Sequence, residues 1–153
     1  MNPTNALSSD DTYSTSVVSL GQSKNLEATG FGFAIPTGAT IDGIKIEVEA
    51  KSTATGFGND FTVWAINPAS GLKGGAIIRE ATASDAYYTF GGPTEKFGGT
   101  WTAANINSAD FGCSVRFYDS GTGTHSVDHI RITVYYTEAS GTPFRRSLLG
   151  VGF

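Results

Sequence analysis

Charge, sulfur and long apolar runs are all scarce in this sequence, and each shortage closes a class of explanation. Only 16% of the 153 residues are charged, with 10 Lys and Arg against 14 Asp and Glu, for a formal net charge of −4. A protein that tracks phosphates needs a basic footprint, so nucleic acid is set aside as a partner. Cys113 is the single cysteine, so the chain has no internal disulfide and must fold without covalent staples, in keeping with synthesis in a reducing cytoplasm. No apolar stretch approaches the roughly 20 residues that span a bilayer. The opening MNPTNALSSDD lacks the basic and apolar regions of a secretory leader. The expectation is a chain neither exported by that route nor embedded in a membrane.

What is abundant is glycine, at 20 residues, with 12% aromatic and 39% hydrophobic residues overall. The length suits one domain with a real core, and the composition suits turns and strands better than helices. In IDGIKIEVEAKS, Ile44, Ile46, Val48 and Ala50 alternate with Lys45, Glu47, Glu49 and Lys51. That is period two, one face for the core and one for water. HIRITVYYTE repeats it with Ile130, Ile132, Val134 and Tyr136 inward, and FGCSVRFYDS does so with Phe111, Cys113, Val115 and Phe117. Cys113 thus reads as a small core hydrophobe. Further strands are expected in YSTSVVSL, LEATGFGFAI, DFTVWAIN, GGAIIRE and AYYTF, each followed by turn-forming residues. PTGATIDG reads as a loop in which Gly38 and Gly43 supply positive φ, while GLKGG and GTGT read as hairpin turns. One helical turn is expected near 102–108, where Thr102 precedes Ala103, Ala104 and Ile106. About eight short strands without amphipathic helices between them predict an all-β fold, a single antiparallel, jelly-roll-like β-sandwich over 1–138.

Candidate chemistry is thin. His125 and His129 are the only histidines, and His129 follows Asp128 in SVDHIR without any nucleophile elbow such as G-x-S-x-G. No catalytic residues are assigned, and the chain is read as a protein other than an enzyme, with no cofactor. Asp10, Asp11, Asp60, Asp85, Asp110 and Asp119 fall near strand ends, where Asp is ordinary turn chemistry. Some of them could gather round calcium, but with no EF-hand loop and no zinc spacing, no metal site is assigned. Glu47 and Glu49 read as solubilising residues on the wet face of their strand. Trp64, Trp101, Tyr87 and Tyr88 form a candidate sugar platform, although both tryptophans read more simply as core plugs.

Four segments, NPTNALSSDD, EATGFGFAIPTGATIDGIKIEVEAKS, WTAANINSADFGCSVRFYD and VDHIRITVYYTE, occur in an order that resembles a β-sandwich domain of tailed-bacteriophage virion proteins. The likeness covers most of residues 2–138, and INSADFG followed by VDHIRITVYYT is its most specific part. It implies a structural role in the virion as a capsid decoration (cement) protein, head fibre or tail-associated domain. Decoration of the capsid exterior, as a homo-oligomer with a trimer favoured and the major capsid protein or another virion protein as partner, is the leading expectation. A tail or fibre component that recognises a host glycan, or a carbohydrate-binding module, is the alternative. Residues 139–153 fall outside the likeness: a short ASGTP linker leads to an arm of Phe144, Arg145, Arg146, Leu148, Leu149, Val151 and Phe153. Arginine and large apolar residues are enriched at protein interfaces, so the arm is a candidate partner contact, the alternative being that it packs on its own domain.

Overall fold

A computed structural model describes residues 2–53, 59–139 and 146–151, with residues 59, 75–79 and 146–151 described through their backbone. After a 3-10 turn at Pro3–Ala6 come the strands β1 (Ser14–Gln22), β2 (Leu26–Thr29), β3 (Thr40–Ser52), β4 (Asn59–Asn67), β5 (Gly71–Glu80) and β6 (Ala86–Gly91). A short helix α1 (Ala103–Asn107), the 26-residue strand β7 (Gly112–Thr137) and β8 (Arg146–Val151) complete the chain. Among the described residues every strand pairing is antiparallel, and β7 is the spine. Along one of its edges run β2, β1 and β8; along the other run β4 and then β3. Outside these, β5 pairs with β4 and β6 with β3.

The sheet folds over itself along this spine into two facing halves, the jelly-roll-like antiparallel sandwich that the strand pattern predicts. Phe61 of β4 meets Tyr88 and Phe90 of β6 across the interior at 5.1 and 5.2 Å between ring centroids, both edge to face. The inward residues of the three clearest segments are all buried, with Ile44, Ile46, Val48, Ala50, Phe111, Cys113, Val115, Ile130, Ile132 and Val134 at 0% exposure. Burying a side chain of this size contributes about 1.5–3 kcal/mol, so this apolar layer is a main source of cohesion between the two halves. Cys113 lies in this layer, and burial pushes its thiol up to about 12, which makes it packing material rather than a nucleophile.

The two segments read as separate strands, FGCSVRFYDS and HIRITVYYTE, are one. Their inward residues have odd numbers up to Val127 and even numbers from Ile130, and the pairing with β3 shows why. Glu49 opposes His129 while Ala50 opposes Val127, so Asp128 is an extra residue, a β-bulge that exchanges the two faces of the strand. GTGT (121–124) is therefore not a turn; Thr122, Gly123 and Thr124 pair with Ser19, Val18 and Val17 of β1 as the spine passes from one half to the other. Nor is GLKGG a turn, since Gly71–Gly75 opens β5. The reversal before it is made by Asn67, whose carbonyl accepts from Ser70 and whose Oδ1 accepts from Ala69.

LEATGFGFAI forms a strand only to Thr29. Gly30 and Gly32 have φ of 75° and 69°, which ends the ladder, although Phe31, Phe33 and Ile35 still point inward. Asn107 then takes the place of a strand partner: its Oδ1 accepts from the Ile35 N–H and its Nδ2 donates to the Ile35 carbonyl. Gly43 has no positive φ and lies within β3, where a Cβ would stand 2.3 Å from the Gly92 carbonyl oxygen. Close approach of backbone, not a turn, is what requires glycine there. The helical turn forms as expected: Thr102 Oγ1 accepts from the Asn105 N–H, and the Asn105 side chain accepts from the Thr102 N–H.

Candidate functional site

The four candidate sugar-binding aromatics are not brought together. Trp101 is 7% exposed, packs edge to face on Phe111 and donates its indole N–H to the Lys96 carbonyl, so it is a core plug. Trp64 is not; β4 buries Phe61, Val63 and Ala65, which turns Trp64 to the outer face, where the Arg116 guanidinium lies 4.9 Å from its ring. Tyr87 and Tyr88 are neighbours on β6 and take opposite faces. Tyr88 meets Phe61 inside and its hydroxyl accepts from the Thr82 N–H, whereas Tyr87 stays on the surface.

Tyr87 joins a polar cluster on the outer face of β6, β3 and β7. Its hydroxyl is 2.8 Å from His129 Nδ1, and Arg131 lies 4.2 Å from its ring centroid. Arg131 also donates twice to Glu47, at 3.0 and 3.1 Å, while Lys45 Nζ stands 2.9 Å from the same carboxylate. Register makes this possible, since Glu47 and Arg131 face each other directly across β3 and β7. Glu47 is consequently 8% exposed, not a solubilising residue on open surface. Burial alone would raise its carboxyl pKa, but the Arg131 and Lys45 contacts outweigh that and lower it. For His129 burial prevails and lowers the imidazole pKa despite Glu49 nearby. Sequence periodicity placed Glu47 on the correct face; what it missed was that Arg131 and Lys45 cover that face.

His125 is enclosed in the interior, stacked on Phe117 with centroids 4.7 Å apart. Its Nε2 is 3.3 Å from Asp119 Oδ2, an ion-pair distance without hydrogen-bond alignment. Burial lowers its pKa, with Asp119 pulling the other way. Of the six aspartates considered for a cation, Asp11 and Asp85 approach each other at the surface, Asp119 faces His125, and Asp10 turns into its own loop, accepting from Ser8 and Thr12.

Two further surface features were not signalled by composition. Below Trp101 lies an open groove of about 710 Å³, lined among others by Thr37, Lys96, Thr100, Thr102 and Asn107. On the opposite theme, β1 carries Val17 and Leu20 at 70% and 78% exposure. Leu20 has φ of 47°, at an irregularity between Ser19 and Gly21 where the pairing with β7 slips. At the other end of the chain, the backbone of Arg146–Val151 pairs as β8 with Arg131–Tyr136 of the same chain. Arg146, Leu148, Leu149 and Val151 of the candidate arm thus lie on a strand; Phe144, Arg145 and Phe153 lie outside the described residues.

No family model and no curated protein matches the chain. It is similar to a solved structure described as "CBM4 structure and function", at 12% identity over 84% of this chain and 87% of that one, with a TM-score of 0.48. The class that the fold itself defines is an all-β antiparallel sandwich, and a likeness of this degree says nothing about a ligand.

Proposed function

We propose that this chain is a bacteriophage virion structural protein that decorates the outside of the major capsid shell and grips it through the β1 edge. The observation that carries the reading is Leu20. A leucine in the left-handed region costs about 1 kcal/mol or more, and a glycine or asparagine would avoid the cost. Here the strain holds an apolar side chain out in water, on the same strand as exposed Val17, and that strand is paired with β7 on one edge. Such an edge is a template for another chain. The resemblance of four segments to tailed-phage virion domains gives the partner's class. The mechanism is passive: apolar burial at roughly 25 cal/mol per Å² stabilises only the assembled shell, and a trimeric arrangement multiplies each contact. The arm, from Phe144 to Phe153, is the second contact in this reading.

Mixing the purified protein with undecorated capsids tests it. Saturating protein raises the shell's disruption temperature, and Leu20→Glu with Val17→Glu removes the rise while leaving the sandwich folded. No rise with the native protein rejects the reading. Removing residues 144–153 weakens assembly without unfolding the domain; a truncated chain that cannot fold assigns β8 to the domain's own stability instead.

A second reading, recognition of a host-surface glycan as a tail component or carbohydrate-binding module, is favoured by the hydroxyl-rich groove below Trp101. Saturable binding on a glycan array, lost in Lys96→Ala, would select it over decoration.

A further inference from the structure

Asp128, the bulge residue of β7, sits 1% exposed, and its Oδ1 is buried without a hydrogen-bond partner. An ionised carboxylate in that position is costly unless something of opposite charge faces it. What faces it is more acid. One carboxylate oxygen each of Asp11, Asp85 and Asp128 lies within 4.8 Å of the others. The three come from separate places: Asp11 from the loop before β1, Asp85 from just before β6, and Asp128 from the spine.

The compensation present is slight. Asp128 Oδ2 accepts from the Asp11 N–H at 3.2 Å, and the Tyr13 hydroxyl lies 2.8 Å from Asp11 Oδ1 and 2.6 Å from Asp85 Oδ2. A phenol has one proton for those two acceptors. Lys51 Nζ stands over the Tyr13 ring, 3.5 Å from its centroid, and among the described residues no Lys, Arg or His forms an ion pair with any of the three aspartates. Three carboxylates at this spacing repel one another, and Asp128, buried with its Oδ1 unpaired, is the member of the cluster that most lacks a counter-charge.

From these residues the geometry points to a divalent-cation site, with Asp11, Asp85 and Asp128 as protein ligands and calcium as the ion it takes. The donor set is all oxygen, which suits a hard cation and not zinc or copper. Asp11 and Asp85 are exposed, so water can fill the remaining positions, and calcium tolerates such an irregular shell of six to eight ligands better than magnesium does. The ion ties the N-terminal loop and the start of β6 to the spine at its bulge. Its role is structural, independent of which partner the domain binds.

The test uses the full chain, stripped with a chelator and then titrated with Ca²⁺ while thermal unfolding is followed. A hundredfold excess over Kd raises Tm by about 5–10 °C, and Mg²⁺ raises it less. Terbium, substituted for calcium, shows tyrosine-sensitised luminescence from nearby Tyr13, and added Ca²⁺ quenches it by displacement. Asp128→Asn removes both signals. Because that residue is buried, Asp85→Asn at the exposed rim is the companion variant; it folds and weakens the Ca²⁺ response at least tenfold. Absence of a saturable Tm shift and of displaceable terbium luminescence in the native chain overturns the assignment. So does an unchanged response in Asp85→Asn.

Discussion

The two halves of β7 are built from similar residues yet read in opposite phase. From Cys113 to Phe117 the odd positions enter the core; from Ile130 to Tyr136 the even ones do. One inserted residue, Asp128, accounts for the whole difference. Were Asp128 accommodated as an ordinary strand residue with no bulge, the second half would present Arg131, Thr133 and Tyr135 to the interior and Ile130, Ile132 and Val134 to water. The lesson is that strand phase is local but not continuous: each half obeys the period-two rule, and a bulge joins two correct readings that contradict each other.

Inserting one alanine between Arg131 and Ile132 is the harshest way to break this comparison. It turns Ile132, Val134 and Tyr136 to water and should remove the entire stability of the fold, about 5–15 kcal/mol. Circular dichroism and amide NMR would report an unfolded chain; a folded one with native Tm would show that strand phase does not decide the fold. Less severe are Phe117→Ala in the first half and Ile132→Ala in the second, expected to cost about 3–5 and 2–5 kcal/mol respectively. If the halves form one core, both variants shift a single urea transition. Two separate transitions would mean that the halves unfold independently.

Buried histidine distinguishes the halves more finely, because His125 lies enclosed in the first half's odd-numbered layer. Burial depresses its folded pKa below the ordinary 6.5, with Asp119 opposing. As pH falls past about 6.5 the unfolded chain takes up a proton that the folded chain refuses, so stability declines until the folded pKa is reached and then levels off. Urea midpoints between pH 5 and 8 should show this decline for the native protein and a flatter profile for His125→Gln. An identical slope in both would locate the effect elsewhere. The smallest expected effect is at β1, where Leu20→Gly relieves the left-handed strain. A gain of about 0.5–1 kcal/mol in the isolated protein, read from the denaturant midpoint, should accompany weaker attachment to shells.

Much of the sandwich was legible because its inward residues repeat every second position without interruption over four residues or more. Ile44 to Ala50, Phe111 to Phe117 and Ile130 to Tyr136 each do so, and the Thr102 cap announced α1. The bulge was not legible, since Asp128 and His129 look like any polar pair at the start of a strand and only the partner register exposes the extra residue. Gly121 and Gly123 resembled turn chemistry for the same reason; glycine marks both a reversal and a place where a strand crosses between layers. The candidate site was harder still. Asp11, Asp85 and Asp128 are 74 and 43 positions apart in order, and nothing in spacing connects them. Glu47 was placed on the correct face, but its cover by Arg131 and Lys45 depends on which residue of β7 stands opposite.

The position of the spine has a consequence for biogenesis. Four of its partner strands, β1 to β4, are synthesised before any of β7 leaves the ribosome, and none of them pairs with another of the four. Until residue 112 and its successors emerge, β1 and β2 have no native partner, while β3 can pair only with β6 and β4 only with β5. Acquisition of the native topology is therefore a late, slow event dominated by distant pairings. A nascent chain halted before residue 112 should be an avid substrate for holding chaperones, whereas one released after residue 137 should escape them.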